Sequence, residues 1–446
     1  MRVQVRKLRD VMGLLQPVIP KKPTIKVIGN ILLKDGKAVA MNLETTVIAD
    51  FPEADGQALL PLSLLDFLRY VPGDTVARID PEGERTMSIS CNGSKRTFPY
   101  TDPDEYPPAP ELPPLDLHVD GDRLLEAMEM AAPYAARKDD RPVLKGVTLV
   151  IGKEGSHVAA GDGFRMFYKG IPCKAEPTVR VIPEEAVSLM KDLWKKTARP
   201  ESPAMDALLA QIAIARRIIR LGFNDSVEPG VMAARFGEVT VLVKLIGGTP
   251  PDFAAVIPTV HEHSLKLFAQ DLYRAVLQVA NVAAEGAGIV RLQWSGNELK
   301  VSAVADDQTV EAQTFVTSEG GDGCIAFHVA YLLKYLKERQ GMVDLKCNRP
   351  DGPGLFLDGK STVVIMPMFV QWGDTPSDEE SEAFQTQEEG EVPADRDTGR
   401  EGGHDQPEEA PADEPPPKEK EAVPAESAPA RPRKRGNSAK SKKQSE

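Results

Sequence analysis

The chain contains the run Val27-Ile-Gly-Asn-Ile-Leu-Leu33, whose apolar and β-branched residues predict a β-strand. The turn Lys34-Asp-Gly-Lys37 follows, and Asp-Gly between apolar runs is typical of a tight hairpin. Two comparable runs lie further along the chain, Leu144-Lys-Gly-Val-Thr-Leu-Val150 and Gly288-Ile-Val-Arg-Leu-Gln-Trp294. This recurrence predicts that one hairpin-containing unit occurs three times.

Each of these runs is preceded by a segment whose apolar residues predict an amphipathic helix. Apolar side chains at positions i, i+3, i+4 and i+7 form one stripe on a helix. The three stripes are Leu8, Val11, Met12 and Leu15, then Leu124, Ala127, Met128 and Ala131, and finally Leu272, Ala275, Val276 and Val279. A second helix is predicted in each unit, over residues 61–70, 183–196 and 329–339. The first two open on a proline, which the first turn of a helix tolerates.

These patterns predict an α+β fold made of three repeated domains, each with two helices and antiparallel strands. We place the boundaries at residues 1–114, 115–259 and 260–372, the first of them at the proline cluster around Pro113 and Pro114. The middle domain is the longest because an extra helical stretch is predicted from Met205 to Ile219.

Residues 373–446 are predicted to be a disordered, charged tail. Phe384 is its one aromatic residue, and such a composition cannot bury enough apolar surface to offset the entropy of folding. An acidic stretch from Asp378 to Glu426 is followed by a basic end that begins at Arg431. The tail is interpreted as a solubilising segment or as one whose basic tip contacts DNA or an acidic partner.

The net charge of −13 over 446 residues is unevenly distributed. The tail holds 20 acidic and 11 basic residues, which leaves 47 acidic and 43 basic residues on residues 1–372. Such a body would bind nucleic acid only if its basic residues were gathered on one surface. The sequence shows no recognisable signal peptide and no apolar run long enough to span a membrane. Its four cysteines are far apart, which argues against a disulfide framework. A cytoplasmic protein without a membrane partner is therefore expected.

Motifs of catalysis and of metal binding are missing from the sequence. It has no GxSxG, Walker A or HExxH motif, and no GxGxxG that opens a helix. The neighbours His261 and His263 are interpreted as strand or linker residues, and the pairs Asp139-Asp140 and Asp306-Asp307 as charges of turns or interfaces. We therefore expect a protein that is not an enzyme and uses no cofactor or metal.

Five motifs, in the same order along the chain, resemble the bacterial DNA polymerase III β subunit, the sliding clamp. The resemblance covers residues 1–372. The motifs are Lys22-Pro-Thr-Ile-Lys-Val-Ile-Gly-Asn-Ile-Leu-Leu33, Gly161-Asp-Gly-Phe-Arg-Met-Phe167, Pro251-Asp-Phe253 with Val256-Ile-Pro258, Phe327-His-Val-Ala-Tyr-Leu-Leu333 and Met366-Pro-Met368.

The resemblance implies a head-to-tail homodimer in which two three-domain subunits close into a ring of six domains. Helices would line the bore, and edge strands of the two subunits would pair at the junction. The residues implied at the junction are Lys95 and Arg96 on one side and Asp306, Asp307 and Glu311 on the other. Their opposite charges would favour the correct register.

The resemblance also implies that the bore holds double-stranded DNA without reading its sequence. The candidate DNA-binding residues are Lys22, Arg137, Lys138, Lys191, Lys195 and Lys334. Lys191 and Lys195 are four residues apart and so share one helix face. The pair Glu184-Glu185 stands where such clamps often carry basic residues, which weakens the positive field expected there.

A third implied site is a hydrophobic pocket that captures short peptides of the DNA polymerase III α subunit, the clamp loader, other polymerases and repair proteins. ATP would be used by the separate loader. The matching residues are Leu144, Gly163, Phe164, Arg165, Met166, Pro251, Val256, Tyr331, Val364, Met366, Pro367 and Met368. Flexible methionine side chains would let one pocket adapt to several peptides.

The sequence departs from the family at this pocket. Phe164 replaces the usual His, Ala254-Ala255 replaces a basic pair, and Phe369-Val-Gln-Trp372 follows Met368 where such chains end after two more residues. A more apolar pocket with altered peptide preferences is expected, and the added tail is expected to tune partner access. The alternatives are a diverged clamp paralogue with few partners, a peptide-binding scaffold that does not encircle DNA, and an enzyme with an unrecognised active site.

Overall fold

The computed structural model describes residues 1–137, 141–197, 218–306, 308–337 and 339–370. Several expectations fall outside these residues: Lys138, Asp307, most of the extra helical stretch from Met205, and the tail 373–446. The end of that predicted helix was wrong, because Ile218 and Ile219 begin a strand that pairs with residues 117–120.

The residues that the structure describes form six α-helices, one pair in each predicted unit. They are α1 (Val5–Leu15), α2 (Leu64–Leu68), α3 (Gly121–Ala131), α4 (Glu184–Thr197), α5 (Ala269–Glu285) and α6 (Val329–Leu336). The three predicted apolar stripes are buried on α1, α3 and α5. The prolines predicted inside two helices instead end the preceding strands, and α4 starts directly after Pro183.

The same residues form 25 strands, which fall into three groups along the chain. The first is β1 (Arg2–Gln4), β2 (Asn30–Lys34), β3 (Lys37–Met41), β4 (Thr45–Asp50), β5 (Ala58–Pro61), β6 (Val76–Pro81), β7 (Thr86–Cys91) and β8 (Ser94–Pro99). The second is β9 (Leu117–Asp120), β10 (Gly146–Ile151), β11 (Ser156–Gly161), β12 (Arg165–Ile171), β13 (Thr178–Pro183), β14 (Ile218–Asn224), β15 (Val231–Phe236) and β16 (Val239–Lys244). The third is β17 (His263–Phe268), β18 (Ile289–Ser295), β19 (Glu298–Ala305), β20 (Gln308–Phe315), β21 (Thr317–Glu319), β22 (Gly323–His328), β23 (Met342–Cys347), β24 (Gly354–Leu357) and β25 (Thr362–Ile365).

The order of these elements repeats three times, as the sequence predicted. Repeat 1 (β1 to β8), repeat 2 (β9 to β16) and repeat 3 (β17 to β25) each run strand, helix, four strands, helix, three strands. Within the described ranges, the one addition is β21, a short strand that pairs with β17. The hairpin turns carry the backbone geometry that their residues favour, since Asp35 and Gly36 have φ values of 51° and 71°.

The strands that the structure describes form four antiparallel sheets, and two of the sheets span neighbouring repeats. The eight-stranded sheet joins repeats 1 and 2 through β4 and β16, and the nine-stranded sheet joins repeats 2 and 3 through β12 and β25. Two four-stranded sheets remain, β1-β6-β7-β8 and β20-β19-β18-β22. Strands β8 and β20 are therefore edge strands of their sheets.

The apolar faces of the helices and sheets meet in one large buried cluster that runs through all three repeats. Helix α5 packs on β18, β19 and β20, while α3 packs on β11 and β12. None of the helices within the described ranges combines the length and the apolar character that crossing a membrane requires.

Candidate functional site

The loop between β11 and β12 is held in a tight turn by Asp162. The Oδ1 atom of Asp162 accepts hydrogen bonds from the backbone N–H groups of Phe164 (3.0 Å) and Arg165 (3.1 Å). Gly163 occupies the left-handed region with φ 91°, a conformation that favours glycine. Asp and Gly at these positions thus fix the direction in which Phe164 and Arg165 leave the turn.

The Arg165 side chain is buried, with only 7% of it exposed, and it joins repeats 2 and 3. Its Nε lies 3.1 Å from Asp162 Oδ2, and its Nη2 donates to the Pro133 carbonyl oxygen at 3.0 Å. The guanidinium carbon lies 5.0 Å from the ring centre of Tyr134 and 4.8 Å from that of Tyr331. Burial raises the pKa of Tyr134 to about 12, so this ring stays neutral beside the charge.

Beside this arginine lies a small apolar cluster, which we call the outer pocket. It contains three of the predicted residues, Leu144, Met166 and Val364, packed with residues that the predicted pocket did not include: Ala159, Phe253 and Leu355. A Cβ atom on Gly161 would lie 2.9 Å from Phe253 Cε1, so glycine at 161 makes room for this ring. The strand alternation around Met166 could have indicated Ala159, and Phe253 could have been assigned from its motif, in which only Pro251 was chosen.

The rim of the outer pocket carries exposed apolar side chains. Phe164 is 59% exposed, Val256 50% and Met366 41%. The Phe164 ring stacks on Tyr331 with 6.3 Å between centroids, and the Phe164 carbonyl accepts the Met366 N–H at 2.8 Å. Such solvent-exposed apolar groups around a buried apolar base are the pattern expected of a site that receives a peptide.

The remaining predicted pocket residues lie at its margins. Gly163 and Pro251 are exposed, and Pro367 and Met368 are half-buried. Met368 is anchored by a hydrogen bond from its N–H to the Ala326 carbonyl at 2.9 Å. The predicted helix start is present at α6, where His328 caps the helix by accepting the Ala330 N–H at 3.2 Å.

Four of the predicted DNA-binding residues fall into two environments. Lys22 and Arg137 are exposed. Lys191 and Lys195, on one face of α4, instead both pair with Glu129 of α3, at 2.9 and 3.8 Å. This carboxylate offsets their charge, which the sequence did not indicate.

Lys334 of α6 contacts the end of α3 in the preceding repeat. Its Nζ donates to the Pro133 carbonyl at 2.7 Å, the same oxygen that Arg165 contacts. Burial lowers the pKa of Lys334, and the nearby Arg165 and Arg137 lower it further, while Glu184 and Asp162 act in the opposite direction.

The predicted interface residues lie on the two edge strands or beside them. Lys95 and Arg96 are on β8, where Lys95 pairs with Glu82 at 2.6 Å and Arg96 donates to the Ser63 carbonyl at 2.8 Å. Glu311 is on β20 and pairs with Lys300 of β19 at 3.1 Å. Asp306 lies in the turn before β20 with φ 43°.

Comparison with known proteins identifies relatives of this chain. No family model matches it. The β sliding clamp of Pseudomonas putida is 23% identical over 348 residues, which cover 75% of this chain and 89% of the relative. That of Salmonella typhimurium is 26% identical over 336 residues, covering 71% and 83%.

A solved structure supports the same relationship at the level of the fold. The DNA polymerase III β subunit of Pseudomonas aeruginosa matches with a TM-score of 0.70 at 21% identity, over 83% of this chain and 100% of that chain. The architecture of the described residues is thus that of a β-subunit structure. The resemblance inferred from the five motifs is confirmed.

Proposed function

We propose that this chain, a relative of bacterial β sliding clamps, is the processivity factor of a DNA polymerase III. In this role it encircles duplex DNA and tethers the polymerase, and the chain itself supplies no catalytic chemistry. The observation that carries the proposal is the pair of edge strands left over by the repeat. Strand pairing joins repeat 1 to repeat 2 and repeat 2 to repeat 3 within one chain. The third equivalent junction, between repeats 3 and 1, would form with a second copy of the chain.

The closed junctions define how the third one would form. The third residue of β16, Val241, lies opposite the third residue of β4, Val47. At the second junction, Val363 of β25 lies opposite the third residue of β12, Phe167. The equivalent strands are β8 and β20, each of which pairs on one side only within the residues that the structure describes. A ring follows if β8 of one subunit pairs with β20 of another, twice, in the same register.

We take the register of this junction from the β4–β16 junction, in which the third residues of the two strands lie opposite each other. Arg96, third in β8, would lie opposite the third residue of β20. Lys95 would then lie opposite Glu311, and Thr97 opposite Thr309. The two charges would meet on one face of the sheet, so Lys95 and Glu311 would exchange their present partners for each other. The predicted interface residues thus remain a proposal with a defined geometry.

The proposed ring contains six domains, three from each subunit, with the boundaries 1–114, 115–259 and 260–372. Its helices would line the bore, where exposed cations such as Lys22 and Arg137 would contact phosphates without reading bases. A cytoplasmic location is part of this proposal, because the replicated DNA and the ATP-driven loader would be found there.

The outer pocket is proposed as the docking site for clamp-binding peptides of the polymerase III α subunit, the loader and repair proteins. Its support is the buried base around Met166 and the exposed rim of Phe164, Val256 and Met366. With Phe164 stacked on Tyr331, the rim is aromatic. Apolar or aromatic anchor residues of a peptide should therefore dominate binding.

Replacing the exposed rim ring with a charge should weaken peptide binding. Phe164→Asp is expected to lower the affinity for a peptide of the α subunit about tenfold, roughly the effect of removing one central apolar contact. Isothermal titration calorimetry measures it. The matched control is Val179→Asp, another exposed apolar residue, on β13 (44% exposed). Equal affinity of Phe164→Asp and the unsubstituted protein would place the docking site elsewhere.

Primer extension on a long single-stranded circular template tests the function itself. Polymerase III from the same organism, supplied with its loader and ATP, should make much longer products per binding event when this protein is added. Product length that does not respond to the protein would contradict the processivity function, and a scaffold that does not encircle DNA would then be the better interpretation.

A further inference from the structure

Helices α1 and α3 are equivalent in the repeat, residue by residue. Both have 11 residues, both bury their first, fourth, seventh, eighth and eleventh positions, and both continue into a 3₁₀ turn with proline second. Gly13 of α1 therefore occupies the place of Glu129 of α3. The helices α2 and α4 correspond likewise, since Pro61 and Pro183 end equivalent strands. Counting from these prolines, Arg69 occupies the place of Lys191.

Repeat 1 thus lacks the ion pair that repeat 2 has at this place, because glycine stands at the position of the glutamate. Lys191 and Glu129 are joined at 2.9 Å, whereas the equivalent Arg69 lines a cleft together with Gly13, which has no side chain. Gly13 has no heavy atom within 4 Å of the position that its Cβ would take. Where repeat 2 carries a carboxylate, repeat 1 has a cleft of about 360 Å³, lined by Arg9, Gly13, Gln16, Leu62, Ser63, Leu65, Asp66 and Arg69.

Positive charge surrounds this cleft. Across the described residues, neither Arg9 nor Arg69 is within ion-pair distance of a carboxylate, including that of Asp66, the acidic residue of the lining. Arg6 Nε and Arg9 Nη2 lie 3.2 and 3.4 Å from the position that a Cβ atom on Gly73 would take. From repeat 2, Lys196 reaches the Gly13 carbonyl with its Nζ at 3.1 Å.

We infer that the α1–α2 cleft of repeat 1 binds a phosphate of the DNA backbone, which takes the place of the missing carboxylate. Arginine suits the role, because its planar guanidinium group donates two parallel hydrogen bonds to phosphate oxygens. The inference rests on the proposed function. It adds that the DNA backbone contacts this region of repeat 1 more strongly than the equivalent region of repeat 2. In repeat 2 the equivalent cation, Lys191, already forms an ion pair with Glu129.

Restoring the carboxylate in repeat 1 tests the inference. In Gly13→Glu, the new side chain should pair with Arg69 as Glu129 pairs with Lys191. Binding of a short duplex oligonucleotide, followed by fluorescence anisotropy over a range of salt, should become about three- to tenfold weaker. The slope of log affinity against log salt should fall by about one. Arg69→Gln should produce the same change. The matched control Gly13→Gln has nearly the same size and no charge, and it should bind like the unsubstituted protein.

The reverse change in repeat 2 should have the opposite effect. Glu129→Gln frees Lys191 and Lys195, and it should strengthen duplex binding about threefold with a steeper salt dependence. Unchanged affinity and slope in both Gly13→Glu and Arg69→Gln would overturn the inference, as would an equal loss in Gly13→Gln. Retention on circular DNA separates this failure from that of the proposed function. Suppose that the unsubstituted protein is retained on circular DNA, and that the variants bind the duplex oligonucleotide with the same affinity and salt dependence as the unsubstituted protein. The cleft inference then fails and the proposed function stands.

Discussion

A variant that carries both Thr97→Cys and Thr309→Cys should oxidise to a disulfide-linked dimer. The register inferred from the β4–β16 junction puts these exposed residues directly opposite each other across the junction of β8 and β20. Opposite residues of antiparallel strands have Cα atoms about 4.5–5.5 Å apart, which lies within the range of a disulfide. Because each subunit brings one cysteine to each junction, two bonds should close a ring of two chains.

Non-reducing electrophoresis measures this outcome, and the chain offers a matched control. Thr97→Cys combined with Val310→Cys moves one partner by a single residue, which turns its side chain to the other face of the strand. That pair should oxidise slowly. The native cysteines Cys91, Cys173 and Cys347 are buried, so little background is expected from them. A ladder of higher oligomers in place of a closed dimer would mean that the head-to-tail contact does not close.

The second large effect concerns Arg165. Arg165→Met should lower the free energy of unfolding by about 3 kcal/mol. The substitution leaves the Asp162 carboxylate without its ion-pair partner, and only 16% of the Asp162 side chain is exposed to solvent. The substitution also removes the hydrogen bond to Pro133 and the stacking on Tyr134 and Tyr331. Methionine keeps much of the side-chain volume, so the loss reports on charge and hydrogen bonding.

Urea unfolding of Arg165→Met measures this loss. The control is Lys153→Met, which removes an ion pair with Glu176 whose side chains are 66% and 83% exposed. Exposed pairs contribute little, so that variant should lose less than about 1 kcal/mol. If the two variants lost the same amount, the buried arginine would not stabilise the contact between repeats 2 and 3.

The repeat was predictable from sequence because each unit carries its own local signals. The stripe from Leu8 to Leu15 and the Asp35-Gly36 turn specify a helix and a hairpin without reference to distant residues. Boundaries were less predictable. Residues Lys26–Gly29 form a 3₁₀ turn where a strand was expected, and the side-chain amide of Asn30 bonds back to the Val27 carbonyl at 3.1 Å.

The sites were predictable only where a motif carried them. Met166 could be assigned to the pocket from its motif, whereas Ala159 and Leu355 lie outside all five motifs and reach the pocket through the packing of β11 and β24. The pairing of Lys191 with Glu129 depends on how α3 packs on α4. Spacing along α4 showed that its lysines share a face, and it could not show which carboxylate opposes them.

Retention on circular DNA tests the central claim most directly. The protein is loaded onto a nicked plasmid with the loader of its organism and ATP, free protein is removed, and the plasmid is then cut once. A topological ring should stay on the circle and slide off after the cut. Protein that never loads, or that remains bound to the linear DNA, would contradict the claim that this chain encircles DNA.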